Sequence, residues 1–359
     1  MLIEDTAIKS TDHAVDALKK KQFFKLVCGA SLTDLHMIEN LCFVFTLAGA
    51  HMIDLAPKAD VIFAARRGVE KGISYSMLNP QSSILNPVLM ASIQLDKDPH
   101  FRKVEVDNSL CDVCGACVKV CPTEAFKIPS SKSFIYSVER CFGCGICPSV
   151  CHVSALNMID VKPTPRETLK EMLLLGVKVI EFHFGENVAK LELIWDEVKD
   201  LVNDLELISF SIGSELLTDE NIKFAANLCY KLAGEGIILQ CDGVPMSGGI
   251  EDKYKVKKNG NNGIKIKEKC IHVAKIIQEE KLPVYLQISG GTDYDSYSRS
   301  LEYGVSINGV AIGSFARKLL MPYLNQLNDE NKLIEAVQVA RSLVDSATRR
   351  NPGEIKTYG

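Results

Sequence analysis

Positive charge is not in excess in this sequence: 41 Lys and Arg stand against 45 Asp and Glu, a net charge of −4. The electrostatic footprint of a nucleic-acid binder is therefore missing, and no nucleic acid is expected as a partner. Long apolar runs are missing as well. No stretch of about 18 apolar residues occurs, so no transmembrane segment is expected. The opening MLIEDTAIKS lacks the basic start and apolar stretch of a secretory leader. A disulfide framework is also absent, because the 13 cysteines are odd in number and eight of them crowd between residues 111 and 151. Clustering of that kind points to metal, and to the cytoplasm or an equivalent reducing stroma.

What is present begins with a repeat. DNSLCDVCGACVKVCPTEAFKI from Asp107 and SVERCFGCGICPSVCHVSALNM from Ser137 align at an offset of 30 residues. Each carries C-x2-C-x2-C-x3-C, with Gly115 or Gly145 after its second cysteine and Ala125 or Ala155 four residues past its fourth. Three thiolates at such spacing can wrap one iron–sulfur cubane, and in the bacterial two-cluster pattern the fourth cysteine of each run serves the other cluster. The expected ligand sets are Cys111, Cys114, Cys117 and Cys151 for one 4Fe–4S centre, and Cys121, Cys141, Cys144 and Cys147 for the second. Structural zinc is the alternative, but zinc knuckles do not call for a third cysteine or a duplicated run. His152 follows Cys151 where Pro122 follows Cys121, and Pro148 follows Cys147 instead. Ligation survives that change, while the surroundings that tune potential differ. RKVEV, FIYSV and ALNMI are the expected small strands, and PSSKS at 129–133 is the turn between halves.

Outside this region, short β-branched runs alternate with helical periodicity, as βα units do. Eight strands are expected at 24–28, 51–55, 87–93, 177–182, 205–211, 236–241, 283–289 and 308–313. Leu35, Ile38, Leu41, Cys42 and Phe45 mark one helix, and Thr164-Pro165-Arg166-Glu167 offers an N-cap, an N1 proline and an N3 glutamate for another. The fold class is α/β, a (β/α)8 TIM-like barrel with an inserted bacterial-type two-cluster ferredoxin-like domain; an open doubly wound sheet is the alternative. The divisions are barrel at 1–103, insertion at 104–161, barrel again at 162–327, and a C-terminal helix and tail at 328–359, the helix at 330–348.

The insertion follows the third strand, on the face where barrel sites lie. Cys28, Asp54, Ser92, Gln94, His183, Ser211, Cys241 and Asp242 fall at strand ends there. Gly290, Gly291, Gly313 and Ser314 follow the seventh and eighth strands, where glycines can clamp a phosphate or a flavin phosphate, or merely permit tight turns. Cys42, Cys229 and Cys270 are expected in the core, as are Cys28 and Cys241 in preference to a redox role, and His183 is expected as a satisfied polar group in preference to a base. The lysine-rich stretch at 253–269 has no aromatic ladder and is expected as a solvated loop.

FKLVCGAS (24–31), TLAGAHMIDLA (46–56), DPHFRK (98–103), the two cysteine runs, LQCDGVPMSGG (239–249), LQISGGTDYDSYSR and GVAIGSFARK together resemble the light-dependent period A family of iron–sulfur proteins from cyanobacteria and plastid-bearing lineages. The resemblance covers nearly the whole chain. It implies a two-cluster protein that reports cellular redox state to the circadian clock, and only the eight clustered cysteines carry over as functional residues. Two functions follow as expectations. One is a redox sensor that exchanges electrons with a redox carrier or quinone pool and alters contacts with clock signalling proteins. The other is a barrel oxidoreductase in which the clusters pass electrons to a flavin.

Overall fold

The structure, a computed structural model, describes residues 10–78, 85–129, 134–184, 188–213, 218–243 and 268–348. Its strands are β1 (Phe23–Val27), β2 (Met52–Leu55), β3 (Val88–Gln94), β4 (Lys103–Val106), β5 (Phe126–Lys127), β6 (Ile135–Tyr136), β7 (Leu156–Ile159), β8 (Val179–His183), β9 (Leu207–Gly213), β10 (Ile238–Asp242), β11 (Tyr285–Ser289) and β12 (Gly309–Ile312). Eight of them run parallel around a closed barrel in the order β1-β12-β11-β10-β9-β8-β3-β2. The pairing of β1 with β12, from Phe23 beside Gly309 to Leu26 beside Ile312, closes the ring and rules out the open sheet. The eight barrel strands lie within two residues of the expected runs. β2, β8, β10 and β12 are buried along their whole length, since helices cover one face and barrel side chains fill the other.

The helices are α1 (Asp12–Lys19), α2 (Leu35–Ala48), α3 (Ala59–Leu78), α4 (Ala116–Val120), α5 (Ile146–Val150), α6 (Pro165–Leu174), α7 (Leu191–Val202), α8 (Asp219–Ala233), α9 (Lys269–Glu279), α10 (Ser296–Glu302), α11 (Ser314–Leu320) and α12 (Glu330–Thr348). α1, which sequence periodicity did not bring out, closes the bottom of the barrel: Ala14, Ala17 and Leu18 pack with Phe23, Met52, Met90, Val179 and Ile238. α6 begins at Pro165 as expected, but the Thr164 side chain makes no cap bond. Its hydroxyl lies 3.2 Å from that of Thr168, which in turn donates to the Thr164 carbonyl. The start of α6 is therefore set by the proline's fixed φ, not by a capping box.

α2 is buried nearly all round because α3 and α12 both pack on it. α3 gains its closeness from two glycines one turn apart. A Cβ on Gly68 would stand 2.2 Å from the Glu39 carbonyl oxygen, and one on Gly72 would stand 2.8 Å from Thr46 Cβ. In the insertion, β4 pairs antiparallel with β7 and β5 with β6, so its outer and inner strands match as two related halves. Among the described residues, no helix is long and apolar enough to cross a membrane. Residues 130–133 of the expected turn, most of the lysine-rich stretch and the tail after 348 lie outside the described residues.

Gly68→Ala forces α3 away from the α2 backbone. Its expected cost is about 1–3 kcal/mol, read from urea unfolding of the otherwise unchanged protein.

Candidate cluster sites and the barrel mouth

The eight clustered cysteines gather around two cavities of about 20 Å³ each. One is lined by Cys111, Cys114, Cys117 and Cys151, the other by Cys121, Cys141, Cys144 and Cys147. Each set thus takes three thiols from one run and the fourth from the other. The two loops share one backbone path: Gly115 and Gly145 take φ +77° and +76°, Glu124 and Ser154 take +53° and +55°, and Val113 sits at +59° where the second copy has Gly143 at +74°. The amides of Ala125 and Ala155 donate to the sulfurs of Cys121 and Cys151, both at 3.2 Å. No two cysteines are joined in a disulfide. Burial and the neighbouring thiols Cys144 and Cys141 push Cys147 upward, and burial does the same to Cys117. Converging thiols that resist ionisation together are a donor set that a cation stabilises, so the residues fit an iron–sulfur group.

The two cavities differ in setting. Cys114 is exposed and Asp112 lines the first cavity, with its carboxylate 3.0 Å from His152 Nε2. The second lies against the barrel: Cys141 and Cys147 are buried, and Phe142 from the same loop is packed into the barrel core. The Phe142 ring lies under the Arg317 guanidinium, 4.5 Å from its centroid. Arg317 Nη1 donates to the carbonyls of Val27 (2.7 Å) and Cys28 (2.9 Å) at the end of β1. Arg140 Nε meets Asp34 Oδ2 at 2.8 Å, the Thr33 amide donates to Glu139 O, and Lys103 Nζ donates to the carbonyls of Ser31, Val138 and Cys141. Three cations thus fasten the second loop to the barrel.

The barrel interior below this loop is polar where such barrels are ordinarily filled by branched aliphatics. Lys25 of β1 reaches Glu181 of β8, past the two intervening strands β2 and β3, at 2.6 Å with both side chains fully buried. Ser209 and Gln240 donate to Glu181 at 2.8 and 2.9 Å, and Gln287 donates to Gln240 at 2.7 Å. A buried pair is tolerable when hydrogen bonds satisfy its remaining atoms, as they do here, whereas removing one partner strands a charge. Above the pair opens a cavity of about 60 Å³. His183 Nε2 stands 3.2 Å from Glu181 Oε1, His100 Nδ1 2.6 Å from Asp98 Oδ1, Ser92 Oγ 2.8 Å from Asp54 and Ser211 Oγ 3.0 Å from Asp242.

Burial alone would lower His183, but Asp98 and Glu181 on either side draw it up to about 10. Asp98 and Glu181 lie below the usual carboxylate range despite burial, held there by the two histidines and by Lys25 respectively. Burial and the Glu181 charge push Asp54 up to about 6, and burial raises Asp242. The barrel mouth therefore sets two readily ionised carboxylates, Asp98 and Glu181, against two that resist ionisation, Asp54 and Asp242, a division typical of sites that bind or move charge.

Of the residues expected at the barrel face, Asp54, Ser92, His183 and Asp242 line the cavity, and so do Gly290, Gly291, Gly313 and Ser314. Ser211 supports Asp242 from behind. Gln94 is buried off the cavity, and Cys28 and Cys241 belong to the apolar core, as do Cys42, Cys229 and Cys270. His183 is an element of the charged site and not a bystander. Lys25, Glu181, Asp98, His100 and Arg317 were not singled out from sequence. The segment DPHFRK held the one usable signal, an Asp and a His two apart beside a proline.

Residues 172–350 match the model of the light dependent period A C-terminal domain, and residues 104–127 that of the 4Fe-4S binding domain. The chain is 28% identical over 340 residues to light dependent period A of Synechococcus elongatus, covering 91% of this chain and 89% of that protein. A ferredoxin of Methanocaldococcus jannaschii is 37% identical over 57 residues, covering 15% of this chain and 92% of its own. An aldolase of Escherichia coli K12 superposes with a TM-score of 0.42 at 9% identity over 94% of this chain and 92% of that one, which adds nothing to the strand order.

Asp54 provides a test of the polar interior. Its unfolded carboxyl ionises near pH 4 and its folded one near 6. The cost of ionising it in the fold therefore accumulates as pH rises through that window and is complete above it. Asp54→Asn, which keeps an acceptor for Ser92, is expected to stabilise the protein on the order of 2 kcal/mol at pH 8. The gain should vanish near pH 4, as read from denaturant unfolding at both values.

Proposed function

Residues 172–350 belong to the light dependent period A C-terminal domain family, in a chain that carries a 4Fe-4S binding domain, and from this premise we propose that the protein is a two-cluster redox regulator. In this reading it exchanges electrons with a carrier or quinone pool in a reducing cytoplasm or stroma, and its redox state alters contacts with clock signalling proteins. The observation that carries it is the sorting of eight thiols into two sets of four, one at the surface and one against the barrel.

Cys111, Cys114, Cys117 and Cys151 would hold one 4Fe–4S cluster, and Cys121, Cys141, Cys144 and Cys147 the other. Bound there, each supplies reversible storage of one electron. The chain's own residues decide what that charge does. The Ala125 and Ala155 amides, pointed at Cys121 and Cys151, favour added negative charge at both sets. Asp112 opposes it at the exposed first set, while Lys103 and Arg317 lie on the side of the second. The first set suits a docking carrier. The second sets Phe142 on Arg317, so a change of charge in that loop bears on the cation that ties β1 and α11 together.

Gly290, Gly291, Gly313 and Ser314 are the feature that would serve a flavin. They line the cavity at the barrel mouth, and flavin in the acid-released supernatant is the outcome that would favour that second reading.

Cys144→Ser, purified without oxygen, is expected to lose about half the iron and acid-labile sulfide of the wild type. It should also lose any difference in partner binding between oxidised and reduced protein. Iron content equal to wild type, or stoichiometric flavin in the acid-released supernatant, would turn the argument toward another centre.

A further inference from the structure

Asp98 and His100 lie at the root of the insertion, on the turn that carries the chain from β3 to β4, and His183 is the last residue of β8. One ligand atom from each lies within 4.8 Å of the others. We propose that these three residues form a binding site for a divalent first-row transition ion at the barrel mouth, separate from the cysteine sites. Ions of this kind bind imidazole nitrogen and carboxylate oxygen at about 2.0–2.2 Å, which sets neighbouring ligands about 3–4 Å apart, so modest side-chain rotation suffices.

Three independent features support the site. The first is preorganisation. The Asp98 carboxylate accepts the His100 amide at 2.7 Å, the Ser31 hydroxyl donates to the His100 carbonyl, and the Leu95 amide donates to the His183 carbonyl at 2.7 Å. The second is the His183 ring, whose side chain is only 4% exposed. Both its nitrogens lack an aligned hydrogen bond, although Nε2 is 3.2 Å from Glu181 Oε1 and Nδ1 is 3.8 Å from Asp98 Oδ2. The third is charge. Asp54, Asp98, Glu181 and Asp242 gather around the two imidazoles, so a divalent ion that takes the place of protons on the imidazole nitrogens keeps positive charge among these carboxylates. Two histidines and one carboxylate also leave coordination positions open toward the cavity, where water or a small oxygen ligand would sit. Because its ligands come from the insertion's root and from β8, the ion would pin the cysteine-bearing module to the barrel.

Mn2+ is the probe for the cluster-loaded, oxidised protein, since it prefers nitrogen and oxygen to thiolate and its free-ion EPR signal disappears on binding. The expected result is saturable uptake of one Mn2+ per chain, displaced by Zn2+. Asp98→Asn and His183→Gln should each weaken it by about tenfold or more with the visible cluster absorption unchanged. If His183→Gln fails to fold, His100→Gln takes its place with the same expectation. No saturable binding of either ion, or wild-type affinity in the variants, overturns the site.

Discussion

The Phe142 ring beneath the Arg317 guanidinium is the contact on which the relation between the two parts of this protein depends. Phe142 stands between two cysteines of the second loop and is buried in the barrel core, while Arg317, 4% exposed, is spent on the two carbonyls that end β1. A cation over an aromatic face, out of water, is held more strongly than at a surface. Burial lowers Arg317 to about 10, still well above neutrality, so the charge is retained. Arg140 on Asp34 and Lys103 on three carbonyls add directional bonds around it. Together they make the insertion a lid bonded to the barrel mouth instead of a module on a tether.

Beneath that lid, the barrel keeps a polar interior at a cost. Buried ion pairs return little stability by comparison with apolar packing, and the Lys25–Glu181 pair with its Ser209, Gln240 and Gln287 partners occupies volume that aliphatic side chains could fill. Such a network is understandable beneath a site that holds charge. The carboxylates above it, the two histidines and the glycine turns after β11 and β12 converge on one cavity directly under the second cysteine loop. The polar barrel and the cysteine module therefore share a face, and the buried Phe142 and Arg317 stand between the charges of the one and the thiols of the other.

Much of this was legible in the sequence, and the reason is periodicity. The C-x2-C-x2-C-x3-C runs repeat their spacing, so the division of thiols into crossed sets of four could be read before any fold was known. The barrel strands are short β-branched runs between helical stretches, and the C-terminal helix expected at 330–348 is α12. Other elements left no periodic trace. Lys25 and Glu181 lie 156 residues apart inside runs that read as ordinary buried strands, and only closure of the ring brings them to 2.6 Å. Asp98, His100 and Arg317 acquire their meaning from a segment folding back over the mouth. Thr164 matched a capping signature that Thr168 competes for, and α1 spaces Ala14, Ala17 and Leu18 as a helix does but is only eight residues long, shorter than the window over which such spacing is read.

Hydrogen–deuterium exchange of the cluster-loaded protein, compared between oxidised and reduced states, tests the coupling most directly. The account predicts altered protection beyond the insertion, at residues 27–34 and 311–320, alongside changes at 138–145. Changes confined to residues 104–161, with the barrel mouth indifferent to reduction, would contradict it.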